Sequence, residues 1–131
     1  MVRKIVYWAS TLLVAAFLLF AGFAYLKGGQ QVVEGFAKAG YPPHLRIVLG
    51  IAKPLAAIAL LLPGLALLKE WAYAGAAFAW IMATIAHHST GDPPKIWTFP
   101  LILLVLLIIS YVTRPATRRL AGSPRTLSAG T

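Results

Sequence analysis

Apolar positions in this chain do not alternate with polar ones; they gather into four long runs, at residues 5–26, 45–62, 71–88 and 93–113. A helix of about 20 residues rises about 30 Å, the thickness of a bilayer's hydrocarbon core. Only helices and closed barrels satisfy every backbone group in lipid, and runs of this length without turn signals predict helices. The pattern therefore predicts an all-α integral membrane four-helix bundle. Residues 1–119 form its single domain, and a polar Gly/Ser/Pro-containing tail at 120–131 reads as disordered.

The second run carries a lysine and a proline side by side near its middle, Lys53 and Pro54. A charge that deep normally faces a bundle interior or snorkels to an interface. Pro54 has no N–H to give to the carbonyl of Gly50, so that carbonyl needs another partner. Arg46, Gly50, Lys53 and Ala57 recur at helical spacing and share one face, whose small members allow a neighbouring helix to come close. This places Lys53 inward.

The connections carry their own signals. Lys27-Gly28-Gly29 ends the first run, and Val32, Val33, Phe36 and Ala37 then sit at helical spacing on a short segment with Glu34 and Lys38. That segment predicts a small helix at the membrane surface or over the bundle mouth. Pro63-Gly64 breaks the second run, and Glu70 suits the start of the third helix. In that helix Ala72, Ala76, Ala79, Ala83 and Ala86 make a stripe for close packing, which His87 continues. Asp92 reads as the N-cap of the fourth helix, with Pro93 and Pro94 in its first turn. The first run, behind Arg3 and Lys4, is longer than a signal-peptide core of about 7–15 residues and reads as a retained span.

Composition narrows the class. The chain is 60% hydrophobic and 11% charged, too apolar for a soluble fold of 131 residues. Its net charge of +9 comes from basic residues flanking the apolar runs, which is a membrane pattern and argues against nucleic acid as a partner. With four spans both termini share a side that carries Arg3, Lys4, Lys69, Arg114, Arg118, Arg119 and Arg125. Lys27, Lys38, Arg46 and Lys95 fall opposite, so the termini are expected in the cytoplasm. The Arg114, Arg118 and Arg119 cluster reads most simply as an anchor to anionic lipid. The absence of cysteine removes disulfides, thiol redox chemistry and thiolate metal sites.

Few residues can carry chemistry. Lys53, His87 and Asp92, with Glu34 and His44, can converge on the outer half of the bundle, where they could bind an anionic head group, relay protons or hold a quinone carbonyl. The alternative is that Lys53 is held by Asp92, Glu34 or free carbonyls and only fixes helix register. His44 with His87 is the one reasonable pair for bis-histidine haem, a cofactor the sequence disfavours. A zinc site lacks an obvious fourth ligand, so no metal is expected. No phosphate loop, serine elbow or paired catalytic carboxylates occur, and no catalytic residue is assigned.

The chain also resembles the DoxX-like family of small bacterial four-helix membrane proteins. The likeness rests on Gly40-Tyr41-Pro42, on LGIAKPLAAIALLLPG at 49–64, and on LKEWAYAGAAF at 68–78. Ala83, His87, Gly91-Asp92 and the run from Ser110 to Pro115 complete it. By this resemblance Lys53, Lys69, Glu70, Trp71, His87 and Asp92 occupy familiar positions, while Ala86 stands where a serine often precedes the histidine; the candidate ligand-binding residues are Lys53, His87, Asp92, Tyr41, His44 and Glu34. The family takes its name from a subunit associated with quinone-linked sulfur oxidation. The resemblance thus implies a bacterial inner-membrane protein, more an accessory or ligand-binding component of quinone-linked redox or redox-stress systems than an enzyme. Its implied partners are the lipid bilayer, oxidoreductase subunits and a second copy of itself. The alternatives are a small transporter or lipid-handling protein with Lys53 as counter-charge, and a purely structural assembly subunit.

Overall fold

Glycine and proline punctuate the chain into five α-helices in the computed structural model, which describes residues 1–118. The expectations for the tail, Arg119 and Arg125 fall outside the described residues. Helix α1, Val2–Lys27, stops at Gly28, whose φ of 69° lets its N–H turn back to the Ala24 carbonyl. The short α2, Gln30–Ala39, stops the same way at Gly40, φ 81°. Pro42 and Pro43 then open α3, Pro43–Leu61, and their fixed φ suits a first helical turn. Helix α4, Ala66–Ser89, follows the break at Pro63-Gly64, and α5, Pro94–Val112, runs on through Pro100. A 3-10 turn at Ala116–Arg118 closes the described chain.

Helix α1 packs most extensively on α3, and α4 on α5, while α1 also meets α5 and α3 meets α4. The α1–α3 pairing is seated on missing side chains. A Cβ on Gly22 would lie 2.4 Å from Cδ of Pro54 and 3.0 Å from the Gly50 carbonyl oxygen, so the α1 backbone covers the carbonyl that Pro54 leaves free. Gly50 meets Leu26 in turn. The core between the helices combines Val14, Leu18, Leu60, Trp80, Leu103 and Leu107. The Leu and Ile run of α5 is split by this packing: Leu103 and Leu107 turn inward, Ile102, Val105 and Ile108 outward.

Polarity is distributed inside out. Phe20, Phe23, Leu55, Ile85 and Ile102 are exposed, whereas Thr11, Ser110, Lys53 and Lys69 are buried. Ser110 Oγ lies 2.6 Å from Thr11 Oγ1 and 2.7 Å from the Tyr73 hydroxyl, a network that joins α1, α4 and α5. An apolar exterior around satisfied polar groups is the arrangement a lipid solvent favours. By length and composition α1, α3 and α5 can cross a membrane. Helix α4 is 24 residues long, but alanines, Trp, Tyr and two histidines make it less apolar than the sequence reading took it to be.

Candidate functional site

Lys53 is 7% exposed on α3, alongside the buried Gly50, Ala57 and Leu60 of the same face. It lies about 15 Å along α3 from Pro43 and one turn below Gly50, the level at which α3 meets Leu26 near the end of α1. Its Nζ stands 5.5 Å from the centre of the Tyr25 ring on α1 and 5.9 Å from that of Trp80 on α4. Rings at that range attract a cation through their negative faces. No carboxylate or carbonyl among the described residues accepts a hydrogen bond from it, so the expected hold by Asp92, Glu34 or free carbonyls is not what the structure shows. The amine is not sealed, since no fully enclosed side-chain nitrogen or oxygen lacks a partner among the described residues. Lys53 is therefore buried and without a hydrogen-bond partner among the described residues.

Above it lies a second group. Gly91, φ 82°, reverses the chain after α4 so that Asp92 faces back toward His87. His87 Nδ1 is 2.7 Å from Asp92 Oδ2, and Lys38 Nζ of α2 donates to Asp92 Oδ1 at 2.9 Å. These two hydrogen bonds, Lys38 foremost, hold the Asp92 carboxyl well below its ordinary 3.8, at about 2. The sequence reading made Asp92 the N-cap of α5. Pro93 occupies that position instead, with no side-chain cap bond, because the carboxylate is already engaged.

Helix α2 lies over this end of the molecule. None of its residues is buried, and its apolar side touches down through Phe36, edge-on to Tyr25 at 5.2 Å and beside Tyr41 at 6.0 Å. A ring contact thus leads from α2 to Tyr25 and on to Lys53. The other candidates stand apart from it. Glu34 is exposed and accepts from Gln30 at 3.0 Å, while His44 is exposed near the start of α3. His88 packs on Trp97 at 5.4 Å. The structure joins Lys38, His87 and Asp92, sets Tyr41 beside Phe36, and brings neither Glu34 nor His44 to Lys53.

The opposite end, beside the termini, holds basic residues that turn inward. Lys69, 1% exposed, donates to the carbonyls of Ala59 and Gly64 at 2.7 Å and to that of Leu62. Arg118 donates to Leu60 and Leu61 at 2.9 and 3.1 Å. Together they satisfy the carbonyls left open where α3 ends. Arg114 reaches Glu70 at 2.5 Å, and the Tyr111 hydroxyl donates to the same carboxylate at 3.0 Å. Arg114 and Arg118 are thus inward structural groups, not lipid anchors. A shallow groove of about 260 Å³ between α4 and α5, with Glu70, Tyr73 and Tyr111 in its lining, lies at this end.

Helices alone among the described residues, an apolar exterior, membrane-length helices and a buried cation define a helical membrane protein. The model of the DoxX-like family matches residues 9–110, and the chain belongs to that family. No curated protein and no solved structure matches it.

Proposed function

We propose that this DoxX-like protein is a four-span component of the bacterial inner membrane that binds an apolar ligand, a quinone or a lipid-like molecule, with its polar head on Lys53. The observation that carries this reading is the lysine itself, buried between Tyr25 and Trp80 with no acceptor of its own. A donor kept in an apolar place without a partner is costly unless something else supplies one. Helices α1, α3, α4 and α5 are the spans, with both termini cytoplasmic and α2 on the outer surface. Support for α4 as a span comes from its exposed side, where Trp71, Phe78, Ile81, Met82 and Ile85 all face outward. Its modest hydropathy comes from Lys69 and Glu70, which bond within the molecule, and from the two histidines at its other end. The link to quinone-linked redox and the accessory role both rest on the family likeness.

The test is native mass spectrometry of the detergent-purified protein with whatever it retains, wild type beside Lys53→Met. A quinone or lipid held by the wild type and lost from the variant is the expected result. Identical spectra with nothing retained would leave Lys53 a packing residue.

A further inference from the structure

The whole chain contains three acidic side chains, Glu34, Glu70 and Asp92. Each is engaged away from Lys53. Asp92 takes Lys38 and His87, Glu70 takes Arg114 and Tyr111, and Glu34 takes Gln30 at the exposed surface of α2. The other buried cations are satisfied as well: Lys69 and Arg118 hold the carbonyls at the end of α3, and Arg114 holds Glu70. Lys53 alone among these is buried without an acceptor.

From this balance we infer that the ligand of the Lys53 site is an amphiphile with an anionic head, a carboxylate or a phosphate, whose charge this chain does not supply. The inference rests on the proposed function and narrows it. A neutral carbonyl could accept a hydrogen bond from the ammonium but would leave the charge unbalanced in an apolar surrounding, where opposite charges are worth far more than in water. The place suits such a head. Lys53 lies one turn below the end of α1, within reach of the outer interface, and the partly exposed Tyr25 ring gives the first part of an apolar tail a surface to pack on. The exposed apolar faces of α1, α3 and α4 continue that surface into the hydrocarbon.

The experiment is equilibrium binding to the full chain in a non-ionic detergent, with four probes: oleate, phosphatidate, oleyl alcohol and a short-chain neutral quinone. Wild type is compared with Lys53→Arg and Lys53→Gln. An anionic probe is expected to bind at one per chain and about tenfold or more tighter than either neutral probe, the scale of one charge-assisted hydrogen bond. Lys53→Arg keeps that preference and Lys53→Gln abolishes it. Oleate ahead of phosphatidate identifies a free carboxylate as the source, and the reverse order identifies a phospholipid. Neutral probes that bind as tightly as oleate, and that are weakened by Lys53→Gln, overturn the anionic head while leaving a Lys53 site in place. No Lys53-dependent binding of any probe overturns both readings. Should Lys53→Gln fail to fold, the comparison of oleate with oleyl alcohol on the wild type still decides the charge of the head.

Discussion

A single missing side chain sets the closest approach in this molecule. Gly22 lies so near Pro54 that an added methyl group would sit 2.4 Å from Cδ of the ring, well inside van der Waals contact. Both are held by backbone, so neither can swing aside. Gly22→Ala is expected to destabilise the protein by about 1–3 kcal/mol, the usual range for overpacking, seen as a lower unfolding midpoint in micelles. Pro54→Ala in that background removes the obstructing ring and returns an N–H to the Gly50 carbonyl, so it should restore most of the loss. A double-mutant cycle reads the coupling; simple additivity of the two changes would mean that the ring and the glycine do not meet in solution. The spacing of Gly50 with Lys53 and Ala57 showed which side of α3 faces a neighbour. It could not show Gly22, because the reason for that glycine lies on a different helix. Lys53 divides the same way. Its burial follows from its depth in an apolar run, whereas its partners, Tyr25 and Trp80, sit 28 and 27 residues away in the chain and become visible only when α1 and α4 are in place.

At the scale of elements the helix ends carry most of the specificity. Helix α3 stops at Leu61, and the following turn places Leu65 at φ 55°, a conformation unfavourable for a branched side chain. The turn is kept by Lys69, which gathers three carbonyls onto one ammonium. Lys69→Met should cost about 2–5 kcal/mol, since it leaves buried acceptors without donors, and Lys69→Arg should recover part of it; denaturant unfolding in micelles measures both. At the other end α2 is fastened through Asp92. Its carboxyl is depressed from 3.8 to about 2, so the fastening is complete above the ordinary carboxylate range and is lost as pH falls through about 4 toward 2. A spin label on α2 at Val33→Cys should gain mobility in that window, and Asp92→Asn should show the mobile spectrum already at neutral pH. An unchanged spectrum across the window would mean that Phe36 alone holds α2. The glycine and proline stops made the helices readable in sequence. Which cation meets which carbonyl was not readable, because a basic residue after an apolar run looks the same whether it turns to lipid phosphates or back to a neighbouring helix end.

For the whole molecule the decisive question is how many helices cross the bilayer, and α4 decides it. Three helices are apolar enough on composition, and three spans would put the two termini on opposite sides. Helix α4 is poorer in large aliphatic residues because Ala72, Ala76 and Trp80 serve the interior, yet it leaves Trp71, Phe78, Ile81, Met82 and Ile85 exposed. A helix packed against partners along one side needs lipid-compatible residues only on the other. Tyr73 to Ser110 near one end of α5, and His87 to Asp92 just before its other end, show that α4 runs alongside α5. The proposed four-span arrangement puts Val2 and Thr113 on the cytoplasmic side and Gln31 on the outer side, by the greater number of basic residues beside the termini. The chain contains no cysteine, so single cysteines report without background. Gln31→Cys should react with a membrane-impermeant maleimide added to intact cells. Val2→Cys and Thr113→Cys should react only in inverted vesicles. Were Val2→Cys and Thr113→Cys to label from opposite sides, α4 would not cross, and Lys53 would face the bilayer without the Trp80 ring that now helps to enclose it.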